Sequence, residues 1–149
     1  PKWTGDTEAT TQFADGFPVL VATAAAVDDL NTRLTAAGFG AVGVERFRPN
    51  IVLAGIEAHD EDRVDMLHIT TADGVVQLQP VKPCARCPIP DIDPATAESH
   101  PAVGNTLRSY RQDARVNGAI TFGMNAIVRE GAGQVLRVGQ VVGANYQFD

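Results

Sequence analysis

The chain has 149 residues, 12 Lys and Arg against 18 Asp and Glu, a net charge of −6, and 44% hydrophobic positions. That is globular composition for one domain, long enough to bury roughly 70% of the surface its unfolded form exposes without disulfide or metal staples. Singly scattered basic residues argue against nucleic acid, which needs clustered Lys and Arg, and the longest apolar run (19–27) is shorter than the ~20 residues of a membrane span.

In chain order, residues 1–16 lack periodicity and read as a loose leading segment, followed by a strand over 17–22. Thr23 or Ala24 can cap a helix carrying Val27, Leu30 and Leu34 at helical spacing, with Gly38 as its stop. Val44-Glu45-Arg46-Phe47 alternates as a strand does, Pro49 interrupts, and 51–54 resumes as a second strand. The acidic residues 57–62 read as a solvated loop. Residues 65–70 and 75–78, joined through Ala72-Asp73-Gly74, predict a hairpin. Prolines at 80, 83, 88, 90, 94 and 101 argue against a long helix or central strand over 79–101. A short helix over 105–111 and strands over 120–128 and 134–142 complete a mainly β (α+β) reading, a barrel with a few short helices.

Two cysteines only three apart, with no secretory signal, favour a working thiol over a disulfide framework and hence a reducing, cytoplasmic setting. Cys84-Ala85-Arg86-Cys87 admits a zinc pair, a redox dithiol, or one working thiolate with a structural neighbour. The three scattered His offer no zinc spacing, and Pro88 and Pro90 break the helix that a dithiol would cap. A thiolate favoured by nearby Arg86 and Lys82 fits better, against the alternative that both cysteines are small buried hydrophobes. In Arg46-Phe47-Arg48-Pro49-Asn50, two guanidinium groups on one face of a strand suit a phosphate or carboxylate, or else surface pairing with Glu45 and the acidic loop. Phe122-Gly123-Met124-Asn125 offers either close backbone approach to a ligand or a bulged core strand, the latter preferred. Asp91-Ile92-Asp93 superficially resembles a calcium loop but lacks the Gly and distal Glu.

Residues 13–20, 30–34, Arg46-Phe47-Arg48-Pro49-Asn50-Ile51-Val52, Cys84-Ala85-Arg86-Cys87 and Phe122-Gly123-Met124-Asn125 together resemble the MOSC family, the molybdenum cofactor sulfurase C-terminal domain. Their order resembles the branch containing the mitochondrial amidoxime reducing component, over nearly all of 1–149. The resemblance implies a MOSC-type β-barrel that binds molybdenum-molybdopterin, with Cys87 as the thiolate on the metal. It further implies that Arg48, Asn50, Ala85 and Arg86 line the cofactor, with Tyr110 and Arg111 nearby and Asn125 as a further candidate. The implied activity is reduction of N-hydroxylated small molecules. The resemblance also implies that electrons come from a partner redox protein and that a preceding N-terminal β-rich domain shares the cofactor. A non-catalytic carrier of cofactor or sulfur, or a degenerate interaction domain, is the alternative. The sequence departs from the family pattern at Arg63-Val64, where a Trp is usual.

Overall fold

The computed structural model describes residues 3–5 and 16–148; the expected leading segment therefore lies outside the described residues except for a turn at Trp3 to Gly5 and for Gly16. Seven strands, β1 (Val19–Thr23), β2 (Ile51–Leu53), β3 (Val64–Thr71), β4 (Gly74–Ala85), β5 (Gln112–Asp113), β6 (Ala119–Glu130) and β7 (Val142–Tyr146), accompany two helices, α1 (Ala24–Ala36) and α2 (Ala102–Arg108). The sheet has the order β2-β1-β6-β4-β3-β7, with β5 on β6, and curls into a half-barrel. The mainly β expectation holds. Among the described residues no helix is long and apolar enough to cross a membrane.

α1 forms where its local signals place it. The Thr23 hydroxyl accepts from Ala26 N at 3.2 Å, and the chain leaves the helix through Gly38 at φ 85°. Ala26, Val27, Leu30 and Leu34 fall on its buried stripe. The helix is also the crossover that lets β2 pair parallel to β1. The β3–β4 hairpin forms as expected, with Thr71 opposite Gly74.

Five expectations are corrected or narrowed. Val44–Phe47 is a 3₁₀ turn, because Phe47 turns inward to stack on Phe122 with ring centroids 3.8 Å apart. The acidic segment is not fully solvated: Asp60–Arg63 forms a 3₁₀ turn that drives Glu61 to 0% exposure. The proline-rich stretch does enter a strand, since β4 runs on through Pro80 and Pro83, but its pairing with β3 ends at Leu78 and there it is bonded to β6 alone among the described strands. It can do so because the β4–β6 register shifts beside both prolines, so bulges absorb the missing donors. Residues 134–141 are not a strand; Gly133 and Gly139 have positive φ, Val138 is fully exposed, and the strand begins only at Val142. α2 starts three residues before its predicted position and ends before Tyr110 and Arg111.

Two apolar clusters cover the two faces of the sheet. Val21 belongs to one, with Leu53, Leu67, Ile69, Leu78 and Ala126; Ala22 belongs to the other, with α1, α2, Phe47 and Phe122. Phe122 and Ala126 lie an even number of residues apart yet serve opposite clusters. The extra residue of the bulge at Gly123 accounts for this: its φ is 78°, and a Cβ there would sit 2.7 Å from the Val21 carbonyl oxygen. The bulged-strand reading of Gly123 is therefore the one the structure shows.

Candidate cofactor cleft

The register of three strands builds the floor of a cleft. Leu20 on β1 pairs with Asn125 on β6, which pairs with Lys82 on β4, so these three side chains share one face. Asn50, just before β2, is tied to the same point: Leu20 N donates to its Oδ1 at 2.7 Å, and its own N–H donates to the Leu20 carbonyl at 2.9 Å. The acceptor half of the Asn50 amide is thereby used, and its Nδ2 remains for a ligand. Arg48 has a left-handed backbone at φ 53° that ends the 3₁₀ turn. Among the described residues, nothing pairs with its exposed guanidinium.

The cysteine segment forms the facing wall. The Arg86 N–H donates to the Ile120 carbonyl at 2.8 Å, and its guanidinium donates to the Phe47 carbonyl at 2.9 Å and to Cys84 Sγ at 3.2 Å. The cation singled out from sequence thus contacts Cys84. Both cysteines are free; Cys84 is half-buried and Cys87 is exposed. The resulting cleft, of about 460 Å³, gathers Arg48, Asn50, Ala85, Arg86, Cys87 and Asn125, together with Leu20, Lys82 and Cys84. Cys87 also borders a smaller cleft of about 120 Å³ shared with Pro88, Leu107 and Ile120.

Arg46, the other half of the predicted guanidinium pair, does not line the cleft. It pairs with Asp93 at 3.5 Å and donates to the Pro90 carbonyl at 3.1 Å. Tyr110 and Arg111 are not among the lining residues either. The Tyr110 ring lies under Arg33, whose guanidinium carbon is 3.7 Å from the ring centroid, and Arg111 pairs with Asp62 at 2.9 Å. Leu20 and Lys82 were not singled out as site residues from sequence, because only strand pairing places them beside Asn125. Asp91 accepts from Gly104 N and Asp93 from Ala95 N, at 2.8 Å each, with the second Asp93 oxygen facing Arg46.

Three cations, Arg48, Lys82 and Arg86, face this cleft, and no Asp or Glu lines it among the described residues. In a chain of net charge −6, that is a local positive field aimed at an anionic ligand. Among the described residues no group of three or more His, Cys, Asp or Glu could hold a metal ion by itself. The cleft can still offer a metal soft sulfur, from Cys84 or Cys87, and its guanidinium, ammonium and amide groups can serve the rest of an organic ligand.

A second polar cluster lies behind the cleft, where Phe122 meets the His59 ring edge-on at 5.6 Å. Burial, reinforced by Arg111, lowers the His59 pKa to about 4, so the imidazole is neutral. Burial, with Asp62 adding to it, raises the Glu61 pKa to about 7. Thr23 and the backbone of Glu61 favour its charged form in part. Burial also pushes the Tyr110 hydroxyl up to about 12. Sequence periodicity carried no sign of this cluster.

A half-barrel bearing a cationic, thiol-lined cleft defines a class of small β domain suited to an anionic cofactor. The MOSC domain family matches residues 8–143, and the chain belongs to that family. Human mitochondrial amidoxime reducing component 2 is 38% identical over 102 residues, covering 66% of this chain and 28% of that protein. Mitochondrial amidoxime-reducing component 1 of Danio rerio is 36% identical over 132 residues, 87% of this chain and 38% of its own length. A molybdenum cofactor sulfurase of Caenorhabditis briggsae is 34% identical over 79 residues, 53% of this chain and 10% of that protein. The chain thus spans well under half the length of these relatives.

Proposed function

We propose that the cleft holds a molybdenum-molybdopterin cofactor with the Cys87 thiolate as protein ligand, and that the domain is the cofactor-binding part of an oxidoreductase reducing N-hydroxylated compounds. The observation that carries this reading is the meeting of a free, exposed thiol with three cations and, among the described residues, no carboxylate in one cleft. The similarity to amidoxime reducing components and to a molybdenum cofactor sulfurase supports the same chemistry.

When bound, the group supplies the two-electron redox chemistry. The chain's own residues bind and orient it. Arg48 and Arg86 donate to its phosphate, with Lys82 adding charge. Asn50, its oxygen already fixed by Leu20, presents Nδ2 to the pterin edge, and Asn125 adds a second amide. Ala85, exposed and small, leaves the backbone of the cysteine segment open to close approach. A preceding β-rich domain, an electron-donor redox protein and a small N-hydroxylated substrate complete the proposal. Its two free thiols suit a reducing compartment such as the cytoplasm.

The test is molybdenum and pterin content after expression with cofactor supply. Cys87→Ser is expected to abolish retention while Cys84→Ser keeps it. Equal loss in both variants would point to a cysteine-pair site, and no metal in any form would withdraw the oxidoreductase reading. A sulfur-carrying role is the second reading, favoured by the Arg86 guanidinium on Cys84 Sγ. It predicts that the Cys84 thiolate takes the outer sulfur of a donor persulfide, the donor leaving as a thiol, and that intact-mass analysis finds one added sulfur atom that Cys84→Ser loses.

A further inference from the structure

Arg111 follows α2, outside the cleft, and its hydrogen-bonding atoms reach two separate parts of the fold. Nη1 pairs with Asp62 Oδ2 at 2.9 Å, where both side chains are mostly buried, at 12% and 15% exposure. Nε donates to the Thr121 carbonyl at 3.2 Å, while the Arg111 carbonyl accepts from Thr121 N at 2.8 Å and from Thr121 Oγ1 at 3.2 Å. Thr121 is the residue of β6 opposite Ala85, and its neighbour Ile120 accepts the Arg86 N–H. The chain of contacts therefore runs from Asp62 through Arg111 and Thr121 to the backbone that carries Cys87.

We infer that Arg111 is a positioning residue: clamped by Asp62, it fixes the stretch of β6 from which the Ala85-Arg86-Cys87 segment hangs. This rests on the reading of the cleft as a cofactor site. The physical need is plain. β4 has crossed bulges beside Pro80 and Pro83 by the time it reaches Cys84, so its ladder to β6 is at its least regular there. Beyond Ala85 the Arg86 N–H carries the backbone link to β6. Side chains also hold the segment, through Arg86 on the Phe47 carbonyl and Arg46 on the Pro90 carbonyl. Among the described residues, though, its one backbone bond to the sheet beyond Ala85 goes to β6, and a ligating thiol needs that support held from behind. Arg111 does this with a planar fork that meets a carboxylate and a carbonyl at once, which an ammonium cannot reproduce.

The test is hydrogen–deuterium exchange of the full protein, resolved to the peptide 84–88, with the β3–β4 hairpin as internal reference. Arg111→Gln and Asp62→Asn are each expected to speed exchange of that peptide roughly tenfold or more relative to the hairpin, as a locally opened segment does. The double variant should go no further than the singles, since both break one link. Arg111→Lys keeps the charge facing Asp62 but loses the Nε bond to Thr121, so it should show a smaller effect of the same sign and serves if the Gln variant does not fold. Arg115→Gln, which removes a surface pair with Asp113 on the same connection, should change nothing. The inference is overturned if the peptide exchanges in step with the hairpin, the mark of general destabilisation, or at the parent rate. Molybdenum content separates the two readings. Selective loosening in a protein that never takes up metal keeps the positioning role and removes the cofactor; uptake by the parent without selective loosening does the reverse.

Discussion

Two charged regions lie on either side of the stacked Phe47 and Phe122 rings, and they follow opposite rules. On the Phe47 side, Arg48, Lys82 and Arg86 face an open cleft without a carboxylate, and Arg48 has no partner among the described residues. On the Phe122 side, Asp62 and Arg111 neutralise each other while mostly buried, beside a neutral His59 and a Glu61 whose pKa is raised to about 7. The strongly shifted pKa values belong to the second region. Perturbed titration marks a functional site only when the group also faces a cleft, and here burial, with the neighbouring Arg111 and Asp62, produces it. Unmatched charge facing solvent is the better guide to where this domain binds a ligand.

The largest test of that contrast removes the divider. Phe122→Ala deletes a fully buried ring and is expected to cost about 3–5 kcal/mol in urea-denaturation stability. A loss near 1 kcal/mol would mean that the two regions collapse into each other easily and are not physically separate.

A second test uses pH. His59 titrates lower in the folded chain than in the unfolded one, so the unfolded state binds the extra proton between pH 6.5 and about 4, and stability falls as pH drops through that window. Glu61 behaves oppositely. Its folded form holds a proton between pH 4.5 and about 7 that the unfolded form has released, so stability falls as pH rises through that window. The two slopes oppose each other between pH 4.5 and 6.5. Glu61→Gln should expose the His59 slope, with stability rising from pH 4 to 6.5. His59→Gln should expose the reverse slope. Each change should be on the order of 1–3 kcal/mol, and identical profiles for both variants would show that the cluster does not titrate as described.

The smallest expected effects compare two cleft arginines. Arg86→Ala loses side-chain bonds to the Phe47 carbonyl and Cys84 Sγ and should lower stability by about 1–3 kcal/mol. Arg48→Ala breaks no intramolecular bond among the described residues and should stay within about 0.5 kcal/mol of the parent. Molybdenum retention should fall in both. A stable Arg48→Ala protein that keeps its cofactor would remove Arg48 from the site.

The elements legible in the sequence are those set by neighbouring residues: α1 between Thr23 and Gly38, the hairpin around Asp73-Gly74, and the apolar run of β6. Cys87, Arg48 and Asn50 were visible as motif residues, and the structure brings them to one cleft with Ala85, Arg86 and Asn125. What local pattern could not settle is which competing partner each segment meets. Residues 44–47 alternate like a strand, yet the Phe47 ring gains more by stacking on Phe122 than the segment gains from a ladder. Glu61 reads as solvated because nothing nearby reveals that its turn packs against β1 and β6. Prolines 80 and 83 argue against a strand with two neighbours, and β4 carries them only beyond Leu78, where β6 is its one partner among the described strands and the register shifts. The valines of 134–141 look like a strand but meet no partner among the described residues.

Length, charge and short-range signals thus determined by themselves a mainly β fold, its capped helix, its hairpin and the place of its two free cysteines. Tertiary structure alone decided that Lys82 and Leu20 join Asn125, that Arg86 serves Cys84, and that Arg111 turns away from the cleft to Asp62. The physical reason is that strand register and ring packing are contacts between residues far apart in sequence. Their free energy depends on which surfaces actually meet, and no local window contains both partners.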